Sequence, residues 1–182
     1  DIYGDAARAF ELEFGRHYPS IECYRNDDAE ISFVMIGSFA TKAKEAVDRL
    51  RDAGQKVGLV RPFMLRPFPD ADLRAALVGR RGVAVIDQNL APGRGGILHG
   101  EVTSALFGGQ AKPPMVLSYI GGLGGRDIVT EEFFQIASDT RAAADQGRTP
   151  APRLLYTRTE LIEMRKLQAA AHAEKAEEEL VS

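Results

Sequence analysis

Apolar runs of strand length alternate with segments of helical period between about residues 30 and 146. Ile31-Ser32-Phe33-Val34-Met35-Ile36 is rich in β-branched and aromatic residues and closes at Gly37-Ser38, which predicts a strand. Ala43, Ala46, Val47 and Leu50 follow at i, i+3, i+4 and i+7, the buried stripe of a helix. Ser38 is its candidate N-cap, and Gly54 suits the positive φ beyond its end. Val57-Gly58-Leu59-Val60 predicts a second strand, ending in Arg61-Pro62. Prolines 62, 67 and 69 lack ladder donors, which keeps the next stretch out of a central strand. A helix over 70–78, a strand at 83–87, a helix at 97–107 and a strand at 114–120 come next. Thr130-Glu131-Glu132 then opens a last helix with acids favourable to its dipole. The series predicts an α/β fold, a small, mostly parallel sheet with helices on both faces.

The flanks read differently. Ala6, Ala9, Phe10 and Phe14 predict a helix over about 3–16, Tyr18-Pro19-Ser20 interrupts it, and 21–24 reads as extended. Residues 146–152 resemble a linker, and Thr157-Arg158-Thr159-Glu160 is a capping-box pattern heading a helix to about Leu180. The expected organisation is a domain over 1–147, with an N-terminal helix at 1–16 and a core at 30–146. A linker and C-terminal helical extension then fill 148–182. Asp1-Ile2-Tyr3 starts inside a helical pattern without an initiating Met, so the chain is expected to be a segment of a longer polypeptide.

Composition narrows the classes. With 45% hydrophobic and 27% charged residues, the 182-residue chain has the balance of an ordinary soluble protein. A net charge of −3 gives no electrostatic reason to expect nucleic acid or an anionic membrane as partner. No apolar run reaches the length of a membrane span, and no signal-peptide pattern opens the chain, so a cytoplasmic setting is expected. The single cysteine, Cys23, excludes a disulfide framework within the chain, and His17, His99 and His172 lack metal-ligand spacing.

All strands of a parallel sheet end at one edge, where such folds place their sites. Here that edge collects Gly37-Ser38, Arg61-Pro62, the loop 88–96 and the loop 121–127. Glycine amides and Arg61, Arg94 and Arg126 would suit an anion, while tight turns and subunit contact explain the same residues. No Walker A is present, and neither Gly93-Arg94-Gly95-Gly96 nor Gly122-Leu123-Gly124-Gly125 has GxGxxG spacing. Ser38, Ser104 and Cys23 have no recognisable base partner, and no GxSxG elbow occurs. His99 is either a proton carrier or a packed residue; Asp87 is either a general base or a bond acceptor for loop amides. No catalytic, cofactor-binding or metal set is expected in this chain.

A family likeness lies in Leu59 to Pro69, in Val85-Ile86-Asp87-Gln88-Asn89 with Pro92-Gly93-Arg94-Gly95-Gly96, and in Tyr119-Ile120-Gly121-Gly122-Leu123-Gly124-Gly125-Arg126-Asp127-Ile128. Over roughly residues 5 to 140 the chain resembles the C-terminal domain of the alpha subunit of 2-oxoacid:ferredoxin oxidoreductases, the pyruvate:ferredoxin oxidoreductase family. That domain is similar to the C-terminal domain of transketolase. The resemblance implies a complex that converts a 2-oxoacid and CoA to an acyl-CoA and CO2, with thiamine diphosphate, passing electrons through iron–sulfur clusters to ferredoxin or a similar acceptor. It implies as partners a pyrimidine-binding domain and beta, gamma and ferredoxin-like subunits, with this domain supporting assembly and binding no cofactor itself. Its contact residues would be Arg61, Arg94, Gly95, Gly96, Gly124, Gly125, Arg126 and Asp127, the arginines bonding across the interface. Two alternatives stand beside this: a stand-alone module holding CoA or another phosphorylated ligand in its glycine loops, and the C-terminal domain of a transketolase-type enzyme.

Overall fold

The computed structural model describes residues 2–109, 114–157, 159–163, 165–167 and 169–170. Six strands form one sheet in the order β1-β3-β2-β4-β5-β6: β1 Ile21–Tyr24, β2 Ile31–Val34, β3 Val57–Pro62, β4 Gly82–Asp87, β5 Met115–Ile120 and β6 Arg153–Leu154. Strand β1 is antiparallel to β3; all other pairs are parallel. The helices are α1 Ile2–Phe14, α2 Phe39–Asp52, α3 Asp70–Leu77, α4 Ile97–Phe107 and α5 Thr130–Gln146.

Central strands read as continuous apolar runs because both of their faces are covered. Every residue of β2 and β4 is buried. On one face Ile31, Phe33, Leu59, Ala84, Ile86, Leu117 and Tyr119 meet α2 and α5, through Ala43, Val47, Phe133 and Ile136 among others. On the other, Val34, Val60, Val83 and Val85 meet Leu73 and Leu77 of α3 and Leu98, Val102 and Leu106 of α4. The chain travels from β2 to β3 in one direction and from β3 through β4 to β5 in the other. Crossovers of one hand then set α2 on one face and α3 and α4 on the opposite one.

Several boundaries differ from the sequence reading. Strand β3 runs on to Pro62 because β1 pairs with its far end, Glu22 opposite Arg61 and Ile21 opposite Pro62. Proline is tolerated at that edge position. Arg61 is therefore a strand residue and not a loop residue. Ser38 precedes α2 but its hydroxyl makes no capping bond; its carbonyl accepts the Thr41 amide at 3.0 Å instead. The linker-like stretch leads into β6, and the Leu155 amide donates to the Ile120 carbonyl at 2.8 Å while its side chain joins the core. Helix resumes at 159, behind a capping box in which the Glu160 amide donates to Thr157 Oγ1 at 3.2 Å. The predicted continuation to Leu180 lies outside the described residues beyond 170.

Asn26 is a buried polar residue with a specific task. It accepts from Ser32 Oγ at 2.6 Å and donates to the Ala76 carbonyl at 2.8 Å, tying the turn after β1 to the end of α3. Gly58 makes room for it, since a Cβ there would lie 2.7 Å from the Asn26 Cα and 2.6 Å from its Oδ1. Backbone cannot give way as a side-chain tip can. Gly58→Ala should therefore cost about 1–3 kcal/mol by overpacking, read as a lower urea midpoint; an unchanged midpoint would refute the packing account.

Candidate functional site

The order of the sheet reverses between β2 and β4, which makes the crevice at their carboxyl ends the place where an open α/β sheet binds ligands. Here the chain fills that crevice itself. Gln88 Nε2 donates across it to the Ile36 carbonyl at 3.4 Å. From the other side Gly122, at φ +74°, lies against Phe39 and Gln88, with room for a Cβ only 3.0 Å from the ring.

The amino end of α4 is the second natural anion position. It is closed by Asp87, which ends β4 and is 1% exposed. Asp87 Oδ1 accepts the Leu98 amide at 2.8 Å and Oδ2 accepts the His99 amide at 3.1 Å, while Asn89 Oδ1 takes the Ile97 amide at 3.0 Å. Burial raises the Asp87 pKa, and the two amides pull it back. Gly96 is glycine because a Cβ there would sit 1.9 Å from Asp87 Oδ2. His99 is half-buried, and burial lowers its pKa against the attraction of Asp87 and a bond to the Val116 carbonyl. It is a packed residue beside the cap.

Between these ends the loop 88–96 closes on itself. The Ala91 amide donates to Gly95 O at 2.7 Å, the Arg94 and Gly95 amides return to Ala91 O, and Gly93 and Gly95 supply the positive φ that the turn needs. Its tip presents Arg94, exposed and without an ion pair among the described residues. A shallow groove of about 550 Å³ runs from Arg94 along α4 past His99, Gly100 and Thr103. The second loop is tied to the first, the Gly121 amide donating to Asp87 O at 2.9 Å. Gly124 and Gly125 are exposed on it, and Asp127 pairs with Lys42.

The three arginines thus have three different environments. At the tip Arg94 has no ion pair among the described residues. Arg61 stacks over Phe63, 4.9 Å from the ring centroid, with Glu22 at 3.8 Å. Arg126, its side chain 14% exposed, is engaged inside the chain, bonding Glu132 and Glu160 at 2.8 Å each. Arg126, expected with the other two to reach across an interface, bonds within the chain to carboxylates that no sequence spacing connects to it. The sequence reading also passed over an apolar rim at the same edge: Phe63, Leu65, Leu90, Ile97 and Val129 are all exposed. Isolated apolar residues in loops carry no periodic signal.

Among the described residues no group of His, Cys, Asp or Glu could hold a metal ion, and no helix is long and apolar enough to cross a membrane. The donor set at the edge does not fit thiamine diphosphate either, since the helix end that would receive its phosphates is occupied by a carboxylate.

Residues 29–133 match the family model described as pyruvate:ferredoxin oxidoreductase core domain II. The pyruvate synthase subunit PorA of Thermotoga maritima is 41% identical over 150 residues, which are 81% of this chain and 38% of that protein. The PorA of Pyrococcus abyssi is 35% identical over 151 residues, 83% of this chain and 38% of the relative. The ketoisovalerate oxidoreductase subunit VorA of Pyrococcus abyssi is 39% identical over 148 residues, 81% and 37%. The chain therefore spans under two-fifths of the length of these relatives. Among solved structures, a 2-oxoglutarate:ferredoxin oxidoreductase from Magnetococcus marinus aligns at TM-score 0.50 and 22% identity over 75% of this chain and 21% of that one. A split-gene transketolase aligns at TM-score 0.50 and 17% identity, over 72% of this chain and 44% of that one. At such identities the likeness speaks for the fold.

Two expectations follow for the edge. Gly96→Ala and Asp87→Ala should each destabilise by roughly 2–3 kcal/mol, through a clash and through lost charge-assisted bonds. Because they share one contact, the double variant should lose less than their sum in denaturation experiments; strict additivity would break the link. The second concerns acid. Amides and hydroxyl of Thr157, then Arg126, hold Glu160 at about 2, below its ordinary 4.5. A lowered acid stabilises fully above its unfolded value, and that contribution declines as pH falls from 4.5 and is gone below about 2. Amide signals of 157–163 should report this loss on acid titration, and Glu160→Gln should abolish it.

Proposed function

This chain belongs to the pyruvate:ferredoxin oxidoreductase core domain II family, and from that premise we propose that it is a structural and assembly domain of a thiamine diphosphate-dependent 2-oxoacid:acceptor oxidoreductase. The complex would convert a 2-oxoacid and CoA to an acyl-CoA and CO2 and deliver electrons through iron–sulfur clusters to ferredoxin or a similar acceptor, in the cytoplasm. Thiamine diphosphate would be held elsewhere, between a pyrimidine-binding domain and the beta subunit, and the clusters by cysteine-rich partners. The observation that carries this reading is the internally capped edge, in which Asp87, Asn89 and Gln88 take up the positions that a ligand would otherwise fill.

What the edge offers outward is a rim. Phe63, Leu65, Leu90 and Ile97 are exposed at the same edge as Gly124, Gly125 and Arg94, which has no ion pair among the described residues. Interfaces favour this combination of apolar core and arginine. Arg61, Arg126, Asp127 and Gly96 act from behind that rim by shaping the backbone that makes the contact. As a CoA module the chain would have to bind a polyanion with Arg94 alone, opposite Glu101, which is itself paired with Arg66.

The test is assembly. Arg94→Glu combined with Leu90→Asp should weaken association with the other subunits at least tenfold, as loss of a central contact pair does, and 2-oxoacid-dependent dye reduction should fall with it. Cys23→Ser, an exposed position within β1, should change neither. Wild-type assembly by the double variant, or micromolar CoA binding by the isolated chain in calorimetry, would overturn the proposal.

A further inference from the structure

Arg126 lies between the amino ends of two helices. Its Nη2 donates to Glu132 Oε1 at 2.8 Å and its Nη1 to Oε2 at 3.3 Å, while Nε reaches both Glu160 oxygens at 2.8 Å. Each glutamate is a capping residue. Glu132 Oε2 accepts the Val129 amide at 2.9 Å ahead of α5, and Glu160 Oε2 accepts the Thr157 amide at 2.5 Å ahead of the helix beginning at 159. One guanidinium therefore joins the capping carboxylates of two helices. Each helix end carries partial positive charge, and each carboxylate answers it. Without Arg126 the two carboxylates would lose the one cation that the described residues place on both of them.

The same arginine is built into the glycine loop. Its amide donates to Leu123 O at 3.2 Å and its Nη1 to Asp127 O at 3.0 Å. Gly122, Gly124 and Gly125 have positive φ, and nothing lies within 4 Å of where a Cβ on Gly124 or Gly125 would be. That stretch keeps its shape through backbone conformation and has little packing to hold it. A shift of the loop carries the guanidinium with it.

We infer that Arg126 is a coupler that locks the helix beginning at residue 159 to the loop 121–127, so that this helix keeps its direction only while the loop keeps its shape. The lock is a property of the chain and does not depend on the assembly proposed above. It converts any pressure on the loop into a change in how Leu161, Ile162 and Leu167, all exposed on the helix, are presented.

Hydrogen exchange by mass spectrometry on the full chain tests it. Arg126→Gln, Glu160→Gln and Gly125→Ala, the last strained at φ +81°, should each speed exchange at 159–163 roughly tenfold while β4 and β5 stay protected, as release of a local unit does. Gly125→Ala added to Glu160→Gln should add nothing, because the connection is already cut. Additive effects in that pair would overturn the inference, as would exchange at 159–163 within about twofold of wild type in Glu160→Gln. Glu160 is a surface position, so the outcome stands even if Arg126→Gln loosens the core.

Discussion

The bonds from Asp87 to the first turn of α4 hold the functional edge in one arrangement, and much else depends on them. A carboxylate buried to this degree needs partners, and it finds them in the Leu98 and His99 amides. Those amides in turn carry the positive end of the helix dipole, so the cap and the dipole satisfy each other. Gly96 follows from the same contact, since any side chain would enter the space of the carboxylate. Through its own carbonyl Asp87 also receives Gly121, which sets the second glycine loop beside the first. A strand end, a turn, a helix start and a neighbouring loop are thereby placed by one residue.

The edge consequently has two zones. Inside, polar groups close on one another, Asp87 and Asn89 taking the first amides of α4. Outside, apolar side chains are exposed and Arg94 has no ion pair among the described residues. Glycine-rich loops are often read as cradles because their amides are accessible. Here hydrogen bonds inside the loop take up amides of 91–95, and the glycines serve positive φ and close approach.

The fold was legible where burial on both faces wrote it into composition. Strands β2, β4 and β5 appear as mostly apolar runs, broken in β2 and β5 by a single serine each, and the stripe Ala43, Ala46, Val47, Leu50 appears at helical spacing. Of the edge strands, β1 reads as an extended stretch at 21–24 without a partner, and β6 falls in a stretch that reads as linker. Only four residues long, β1 takes its definition from pairing with β3, and β6 rests on two residues next to β5. Of the site, the glycine strings and the family likeness could be read, as could the Thr157–Glu160 box. The fate of Arg126 could not, because Glu160 lies 34 positions away in sequence. The apolar rim was also invisible, since its members come from separate loops and from the first residue of α4, which only the sheet brings to one edge.

Leu155 has a consequence for how this chain is born. It fills the space beside Gly121 and Ile128 and belongs to the core around α2 and α5, yet it follows every principal strand and helix in order of synthesis. A ribosome will have delivered all of β5 and α5 before the piece that seals the sheet's last edge emerges. Until then the floor beneath the glycine loop lacks one wall, and nascent chains of this length expose apolar surface of the kind that chaperones recognise. Leu155 and β6 thus add the last wall beside Gly121 late in the order of synthesis.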